Sequence, residues 1–117
     1  MANLNVDLPL KDVADINKSF TINVDSKDKE LVQEIVDSNS PILMEILNER
    51  VRQEKKWGQQ NHAPLKWNAI LGEEFGEVSK AILERNVEEY RKELIQVAAV
   101  SIAAIECLDR KYPGKLP

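Results

Sequence analysis

The chain has 117 residues, enough for one domain with a hydrophobic core and too few for two. Its 20 acidic and 16 basic residues argue against a dedicated nucleic-acid binder, because such proteins carry a basic face. The single cysteine, Cys107, excludes an internal disulfide and is predicted to be buried. Residues 1–24 have no signal-peptide core, and the longest apolar run, Val97–Ile105, is too short to cross a bilayer. We therefore expect a soluble cytoplasmic protein without a membrane partner.

The first 24 residues are the least regular part of the sequence. Ser19–Val24 alternates like a short strand, but no partner strand is evident. We interpret residues 1–24 as an arm that packs on the domain or on a second subunit. From Ser26, a residue type that caps helices, one apolar stripe predicts a short helix ending near Asp37. Residues 1–40 are thus expected to form an N-terminal arm with one short helix.

A second helix is predicted to begin at Ser40 and Pro41, a capping residue followed by proline at the first helical position. Apolar residues then recur at helical spacing to about Lys56. Gly58 is a stop signal, and the polar stretch 59–63 is typical of a loop.

The third predicted helix begins at Pro64, and two glycines interrupt its apolar stripe. Gly72 and Gly76 lie about one turn apart, and each costs about 1 kcal/mol relative to alanine inside a helix. We therefore expect a close approach at these glycines, made either by a packed helix or by a ligand.

The last helix is predicted to begin at Asn86, which with Glu89 resembles a capping box. Its second half, residues 94–108, is apolar nearly all round, as in a helix buried in a bundle or a subunit interface. The sequence therefore predicts an all-α helical bundle of about four helices, with its main domain at residues 41–110 and a C-terminal tail at residues 111–117.

Two groups of acidic or amide side chains lie on either side of the turn at Asn86. Folding the flanking helices into an antiparallel hairpin would bring the groups together, and carboxylates crowded in a partly buried groove repel each other. A hard cation, Mg²⁺ or Mn²⁺, would relieve this repulsion. The alternative is that the carboxylates are solvated or paired with nearby lysine and arginine residues. The side chains concerned are Glu73, Glu74, Glu77, Glu93 and Gln96.

Other metal and phosphate sites are excluded by the sequence. A di-iron bundle needs Glu-x-x-His pairs, and a zinc hydrolase of the His-Glu-x-x-His type needs two histidines on one helix. The single histidine, His62, lies in a predicted loop. There is also no glycine-rich phosphate loop, so bound phosphates would need metal ions and basic side chains.

The acidic residues form a recognisable motif. Glu-Glu-x-x-Glu at 73–77, followed after 15 residues by Glu93, resembles the signature of the MazG-like all-α nucleoside triphosphate pyrophosphohydrolases. The flanking segments ERVRQEKKWGQQNH and ELIQVAAVSIAAIE are similar to the same family, and the resemblance covers about Ile46–Leu108. It implies the helical fold of that family and hydrolysis of a nucleoside triphosphate to the monophosphate and pyrophosphate, as nucleotide-pool housekeeping.

The resemblance also implies a role for each residue of the motif. Glu74, Glu77 and Glu93 match the magnesium ligands. Glu73 matches the outer carboxylate that orients or deprotonates the attacking water, or helps to hold a second ion. Gln96 stands at the fourth acidic position, where the family usually has Asp. An amide oxygen can coordinate Mg²⁺, but the site loses one negative charge. A catalytically degenerate module, which binds a nucleotide or a protein partner without turnover, is therefore the alternative.

The two tryptophans and the apolar last helix are candidates for substrate contacts and for self-association. Trp57 and Trp67 flank the loop, and either one stacks on a nucleobase or both are core or interface anchors. Because family members pair their hairpins across subunits, the resemblance implies a homo-oligomer, a dimer or a tetramer, formed through the apolar last helix. The candidate substrate-binding residues are Lys56, Trp57, Gln60, Asn61 and Lys92.

Overall fold

The computed structural model describes residues 25–117, and this part of the chain is helical. Residues 25–117 contain no strand, so the predicted all-α class is confirmed for them. None of their helices has the length and apolar character needed to span a membrane. The strand-like run and the arm predicted before residue 25 lie outside the described residues. A 3₁₀ turn at Ser26–Asp28 precedes three α-helices: α1 at Lys29–Trp57, α2 at Pro64–Leu83 and α3 at Val87–Lys111.

Helix α1 corrects the prediction of two separate helices, because it continues through Ser40 and Pro41. Proline removes one backbone N–H, but the helix does not end there. Polar side chains of the preceding turn add hydrogen bonds to backbone carbonyls: Asn39 Nδ2 donates to Ile35 O at 2.7 Å, and Ser40 Oγ donates to Val36 O. The residues that indicated a helix start thus lie inside one continuous helix.

The chain divides into two compact units, Met1–Asn48 and Glu49–Pro117. Helix α1 contributes to both units, and it also runs through the division predicted after residue 40. The second unit contains all of the predicted site residues, together with the last turns of α1. Gly58 ends α1 with φ of +70°, a conformation that favours glycine, and its N–H donates to Glu54 O at 2.9 Å.

Helices α2 and α3 are joined by a tight turn that reverses the chain. The Asn86 side chain accepts a hydrogen bond of 3.0 Å from Glu89 N, which confirms the predicted N-cap of α3. Arg85 adopts φ of +54°, and its own N–H donates to Ile82 O. A left-handed residue at a helix end satisfies carbonyls that would otherwise lack a partner.

The core of the second unit lies between the first half of α2 and the second half of α3. Trp67, Val100, Ala103 and Cys107 form its buried cluster, and partly buried neighbours pack against them. Cys107 is 1% exposed, as predicted for a structural thiol, and its Sγ lies 3.4 Å from His62 O as a weak donor. This packing makes α2 and α3 the antiparallel hairpin that the carboxylate pattern requires.

The glycines of α2 lie in open space. A Cβ added at Gly72 or Gly76 would meet nothing within 4 Å among the described atoms of other elements. Both residues are exposed. The expected tight packing of a helix at these glycines is therefore not found within residues 25–117.

Candidate functional site

The hairpin brings the carboxyl group of Glu74 on α2 close to that of Glu93 on α3. Two neighbouring carboxylates repel each other when both are ionised. Burial raises the pKa of Glu74 above its usual range, and the hydrogen bond and charge of Glu93 raise it further, as do the charges of Glu77 and Glu73. The structure thus places the carboxylates of Glu73, Glu77 and Glu93 within electrostatic reach of Glu74.

The exposure of these side chains divides the motif into an inner and an outer part. Glu74, Glu93 and Gln96 are half-buried. Glu73 and Glu77 are exposed. Glu74 and Glu93 are therefore the more buried carboxyl groups of this acidic patch, and Glu73 and Glu77 face the solvent.

The oxygen donors of the motif are of the chemical type that a hard divalent cation prefers, but within residues 25–117 the structure does not gather them into a metal site. Within the described part of the chain, no group of three or more histidine, cysteine or acidic side chains is close enough to hold a metal. Glu93 raises the pKa of Glu74, and a cation near the two carboxyl groups would provide the charge that relieves their repulsion. Carboxylate and amide oxygens are the ligands that Mg²⁺ and Mn²⁺ prefer.

A fifth carboxylate, Glu49 on α1, was not predicted from the sequence. Its side chain is 12% exposed, and Arg52 donates to its two oxygens from Nε at 2.8 Å and from Nη2 at 2.6 Å. Hydrogen bonds from Arg52, Gln96 and Gln53 lower the pKa of Glu49 although burial opposes them, so the group is ionised. The sequence does contain a signal for the interactions of Glu49. Arg52 and Gln53 follow it by three and four residues, so the three side chains share one helical face.

Arg50 joins the same region of α1 to α3. Its guanidinium donates to Gln53 Oε1 at 2.9 Å and to Glu106 Oε1 of α3 at 2.6 Å. The Arg50 side chain is 13% exposed and Gln53 is buried, so these are charge-assisted bonds in a partly desolvated setting. The last turns of α1 are therefore held beside α3, next to Gln96.

Comparison of the chain with protein-family models, with curated proteins and with solved structures finds no match. The resemblance of the acidic motif to the MazG-like family accordingly stays a prediction. The function is therefore inferred from the chemistry of the residues at the site, above all from the carboxylates of α2 and α3.

The two tryptophans have different surroundings. Trp67 is 6% exposed and belongs to the core, which agrees with its predicted alternative role as a core anchor. Trp57 is 51% exposed, with Lys56 Nζ at 4.6 Å and Arg52 Cζ at 6.0 Å from its ring centroid. Arg52 contacts both Trp57 and Glu49, so Trp57 lies on the side of α1 that carries the fifth carboxylate. Of the two rings, Trp57 is the one with an accessible face.

The other predicted substrate contacts have partners within the chain. Arg110 donates to Asn61 Oδ1 at 3.0 Å and to Gln60 O at 3.2 Å, which fixes the loop before α2 to the end of α3. Lys92 is exposed and lies 3.9 Å from Glu89, one turn earlier on α3. Asn61 is thus engaged in holding the loop, whereas Lys92 makes only a long surface ion pair.

A separate cavity of about 280 Å³ lies where α2 begins and α3 ends. Its walls are mainly apolar and include His62, Trp67, Leu71 and Tyr112. The buried Trp67 Nε1 has no hydrogen-bond partner among the described residues. The cavity contains neither a carboxylate nor a cation, so it does not supply the groups that a triphosphate and its metal need.

Proposed function

We propose that this chain hydrolyses a nucleoside triphosphate to the monophosphate and pyrophosphate in a metal-dependent reaction. The observation that supports this proposal is the contact of Glu74 with Glu93, on which the charges of Glu73 and Glu77 also act. Four acidic groups gathered on one hairpin are electrostatically unfavourable without a cation. A site for polyvalent cations is the simplest function for such an arrangement.

Glu74, Glu77, Glu93 and Gln96 would hold the ion, which we propose to be Mg²⁺, with Mn²⁺ as the alternative. When bound, the ion polarises the phosphoryl oxygens and stabilises the charge on pyrophosphate. The exposed Glu73 carboxylate accepts a proton from water as the water oxygen attacks the α-phosphorus. The bond to the bridging oxygen breaks, and pyrophosphate leaves with the electron pair.

The substrate-binding part of the proposal rests on Trp57 and Lys56. The accessible ring of Trp57 offers a stacking surface for a nucleobase. Lys56 lies over the same ring and carries a charge that attracts phosphates. Gln60, Asn61 and Lys92 stay candidates for further contacts. The net charge of −4 favours a small, metal-bound anion over a long polyanion as partner.

We also propose that the protein forms a homo-oligomer, a dimer or a tetramer, in the cytoplasm. On α3, Leu94 is 43% and Ile105 56% exposed, although the helix was expected to be buried on nearly all sides. On α2, Phe75 and Leu83 are 57% and 83% exposed. Apolar surface of this kind supports association. Sedimentation equilibrium would test it, and a monomer at all concentrations would contradict it.

The experiment that tests the activity measures pyrophosphate release from ribo- and deoxyribonucleoside triphosphates with Mg²⁺ or Mn²⁺. Wild type is compared with Glu77→Gln, which removes one proposed ligand, and with Glu84→Gln, an exposed residue of the α2–α3 turn. We expect metal-dependent release that is lost in Glu77→Gln and kept in Glu84→Gln. Equal turnover in all three proteins would refute the site assignment.

One observation favours a second function, a module that binds a nucleotide or a protein partner without turnover. Gln96 replaces the acid that the motif calls for, so the site has one charge fewer. Calorimetric titration with triphosphates distinguishes the two functions. Measurable affinity without pyrophosphate release from any substrate would support the binding module and contradict the hydrolase.

A further inference from the structure

The apolar cavity at the start of α2 and the end of α3 lies away from the acidic motif. Trp67 of α2 and Ala104 of α3 both line it. Trp67 precedes Glu74 by seven residues, which corresponds to about 10 Å along a helix axis. A molecule bound in the cavity would therefore leave the proposed metal site free.

The C-terminal tail forms one wall of this cavity. Tyr112 N–H donates to Leu108 O at 2.8 Å where α3 ends, and Lys115 N–H donates to Tyr112 O at 3.3 Å. Between them, Gly114 adopts φ of +81°, a left-handed conformation that favours glycine. The turn brings Leu116 to the cavity, and this residue is 61% exposed. The wall formed by the tail therefore borders the solvent, and a ligand can enter from this side.

Trp67 provides a hydrogen-bond donor that no group within residues 25–117 uses. Its side chain lines the cavity, and only 6% of the residue is exposed. Its Nε1 atom is buried and has no partner among these residues. An unpaired buried donor is unfavourable, and native structures rarely contain one. A water molecule at this N–H would need further polar partners, which mainly apolar walls do not supply. The acceptor atom of a ligand in the cavity would satisfy the donor.

The cavity has no charged group that would attract an ion. No Asp, Glu, Lys or Arg of the described part of the chain lines it. His62 is in its wall, and burial together with the charge of Lys66 lowers the pKa of this histidine, so the imidazole is neutral at pH 7. The ring centroids of His62 and Trp67 are 4.9 Å apart, and the ring planes are tilted by 59°. Two aromatic rings without a charge favour a neutral aromatic ligand over an ionic one.

We propose that this cavity binds a neutral aromatic molecule that carries a hydrogen-bond acceptor, such as a carbonyl oxygen, for Trp67 Nε1. The volume of about 280 Å³ limits the size of the ligand. An apolar cavity of about 150 Å³ accommodates benzene, so this one has room for a single ring with a short substituent. Binding here goes beyond the proposed hydrolysis and does not depend on it.

Acetophenone, a single ring that bears a carbonyl group, is the ligand used to test this site. It is titrated into ¹⁵N-labelled protein, and the two indole N–H signals are followed by NMR. Trp57→Phe assigns them, because it removes the signal of Trp57. We expect a saturable shift of the Trp67 signal and little change in the signal of the exposed Trp57. If the Trp67 signal shows no saturable shift up to the solubility of acetophenone, the inference is overturned.

A matched pair of leucine substitutions tests where acetophenone binds. Ala104→Leu fills part of the cavity, and Ala69→Leu adds the same atoms at an exposed position of α2 that does not line it. We expect Ala104→Leu to weaken acetophenone binding at least about tenfold, because little space is left for the ring. Ala69→Leu should leave the affinity unchanged. Equal affinity in the two variants would mean that acetophenone binds elsewhere, which would overturn the inference.

A comparison with α-methylstyrene tests the hydrogen bond. This hydrocarbon has the shape of acetophenone, with a methylene group in place of the oxygen. The ratio of the two affinities is measured in wild type and in Trp67→Phe, which removes the N–H group. We expect the preference for acetophenone to fall about fivefold in Trp67→Phe, which corresponds to the loss of one ordinary hydrogen bond. An unchanged ratio would exclude Trp67 as the donor.

The wild-type spectra decide the same question if Trp67→Phe does not fold. A hydrogen bond moves the donor proton downfield, so acetophenone should shift the Trp67 N–H proton in that direction and α-methylstyrene should not. The same shift with both molecules would contradict the hydrogen bond.

One further variant separates this inference from the proposed hydrolysis. Glu77→Gln removes a proposed metal ligand and should bind acetophenone as wild type does. Weaker binding in Glu77→Gln would mean that the cavity and the acidic motif are not separate sites, and would overturn the inference. Absence of pyrophosphate release in wild type would refute the hydrolase alone.

Discussion

Replacing Glu74 with glutamine should stabilise the metal-free protein at neutral pH. Glu74 is half-buried, and the charges of Glu73, Glu77 and Glu93 act on it. Glu77 lies about one turn away on the same helix, where a like charge costs about 0.2–0.5 kcal/mol, and the charges of Glu93 and Glu73 add to this, so the total is on the order of 1 kcal/mol. A glutamine removes these repulsions, and its amide can donate to Glu93 without needing a bound proton. A gain of about 1 kcal/mol corresponds to a Tm increase of about 4 °C in a chain of this size.

The pH dependence follows from the direction of the Glu74 shift. Burial and the nearby carboxylates raise the pKa of Glu74 in the folded state. The folded protein therefore binds this proton more tightly than the unfolded chain, and the associated stability is present in acid and lost as the pH rises through the folded pKa. The advantage of Glu74→Gln over wild type should accordingly be small in acid and largest on the alkaline side.

Thermal unfolding in EDTA across this pH range is the assay, with Glu84→Gln as the control for loss of an exposed acid. A constant difference between Glu74→Gln and wild type at all pH values, or a variant less stable than wild type in alkaline buffer, would refute the electrostatic reasoning. Adding Mg²⁺ should reverse the order, because an ion at 100 times its Kd stabilises only the intact site, by about 2.7 kcal/mol.

Three further predictions concern the fold and the substrate. Asn86→Ala should lower the free energy of unfolding by about 1 kcal/mol in denaturant titrations, since the cap of α3 is lost; no change would contradict the cap. Trp67→Ala should cost about 3–5 kcal/mol by the same assay, and a loss below about 1 kcal/mol would contradict its place in the core. Trp57→Ala should leave the Tm unchanged and raise the KM for triphosphates; an unchanged KM would exclude stacking on this ring.

The continuity of α1 shows where local signals are ambiguous. Ser40 and Pro41 have the composition of a helix start, yet they lie inside a helix. Serine and asparagine can cap a new helix or bond to carbonyls of the turn before them, and the same side chains serve both purposes. Which use is made depends on the packing of the whole helix, and a short sequence window does not contain that information.

The sequence by itself determined the features that depend on neighbours in the chain. The all-α class follows from apolar periodicity. Helix ends at Gly58, Pro64 and Asn86 follow from backbone conformations and caps that act within one turn. The pairing of Glu74 with Glu93 was also predictable, because a short turn between two helices requires an antiparallel hairpin.

Only the tertiary structure decided the features that depend on contacts between distant residues. Trp57 and Trp67 have the same chemistry, but one is exposed and the other is buried against α3. Gly72 and Gly76 suggested a close neighbour, and the structure places none of the described residues there. Glu49 looked like one more charged helix residue until the fold put it against Gln96, 47 positions later in the chain. Such contacts arise from the way helices pack, which no local spacing specifies.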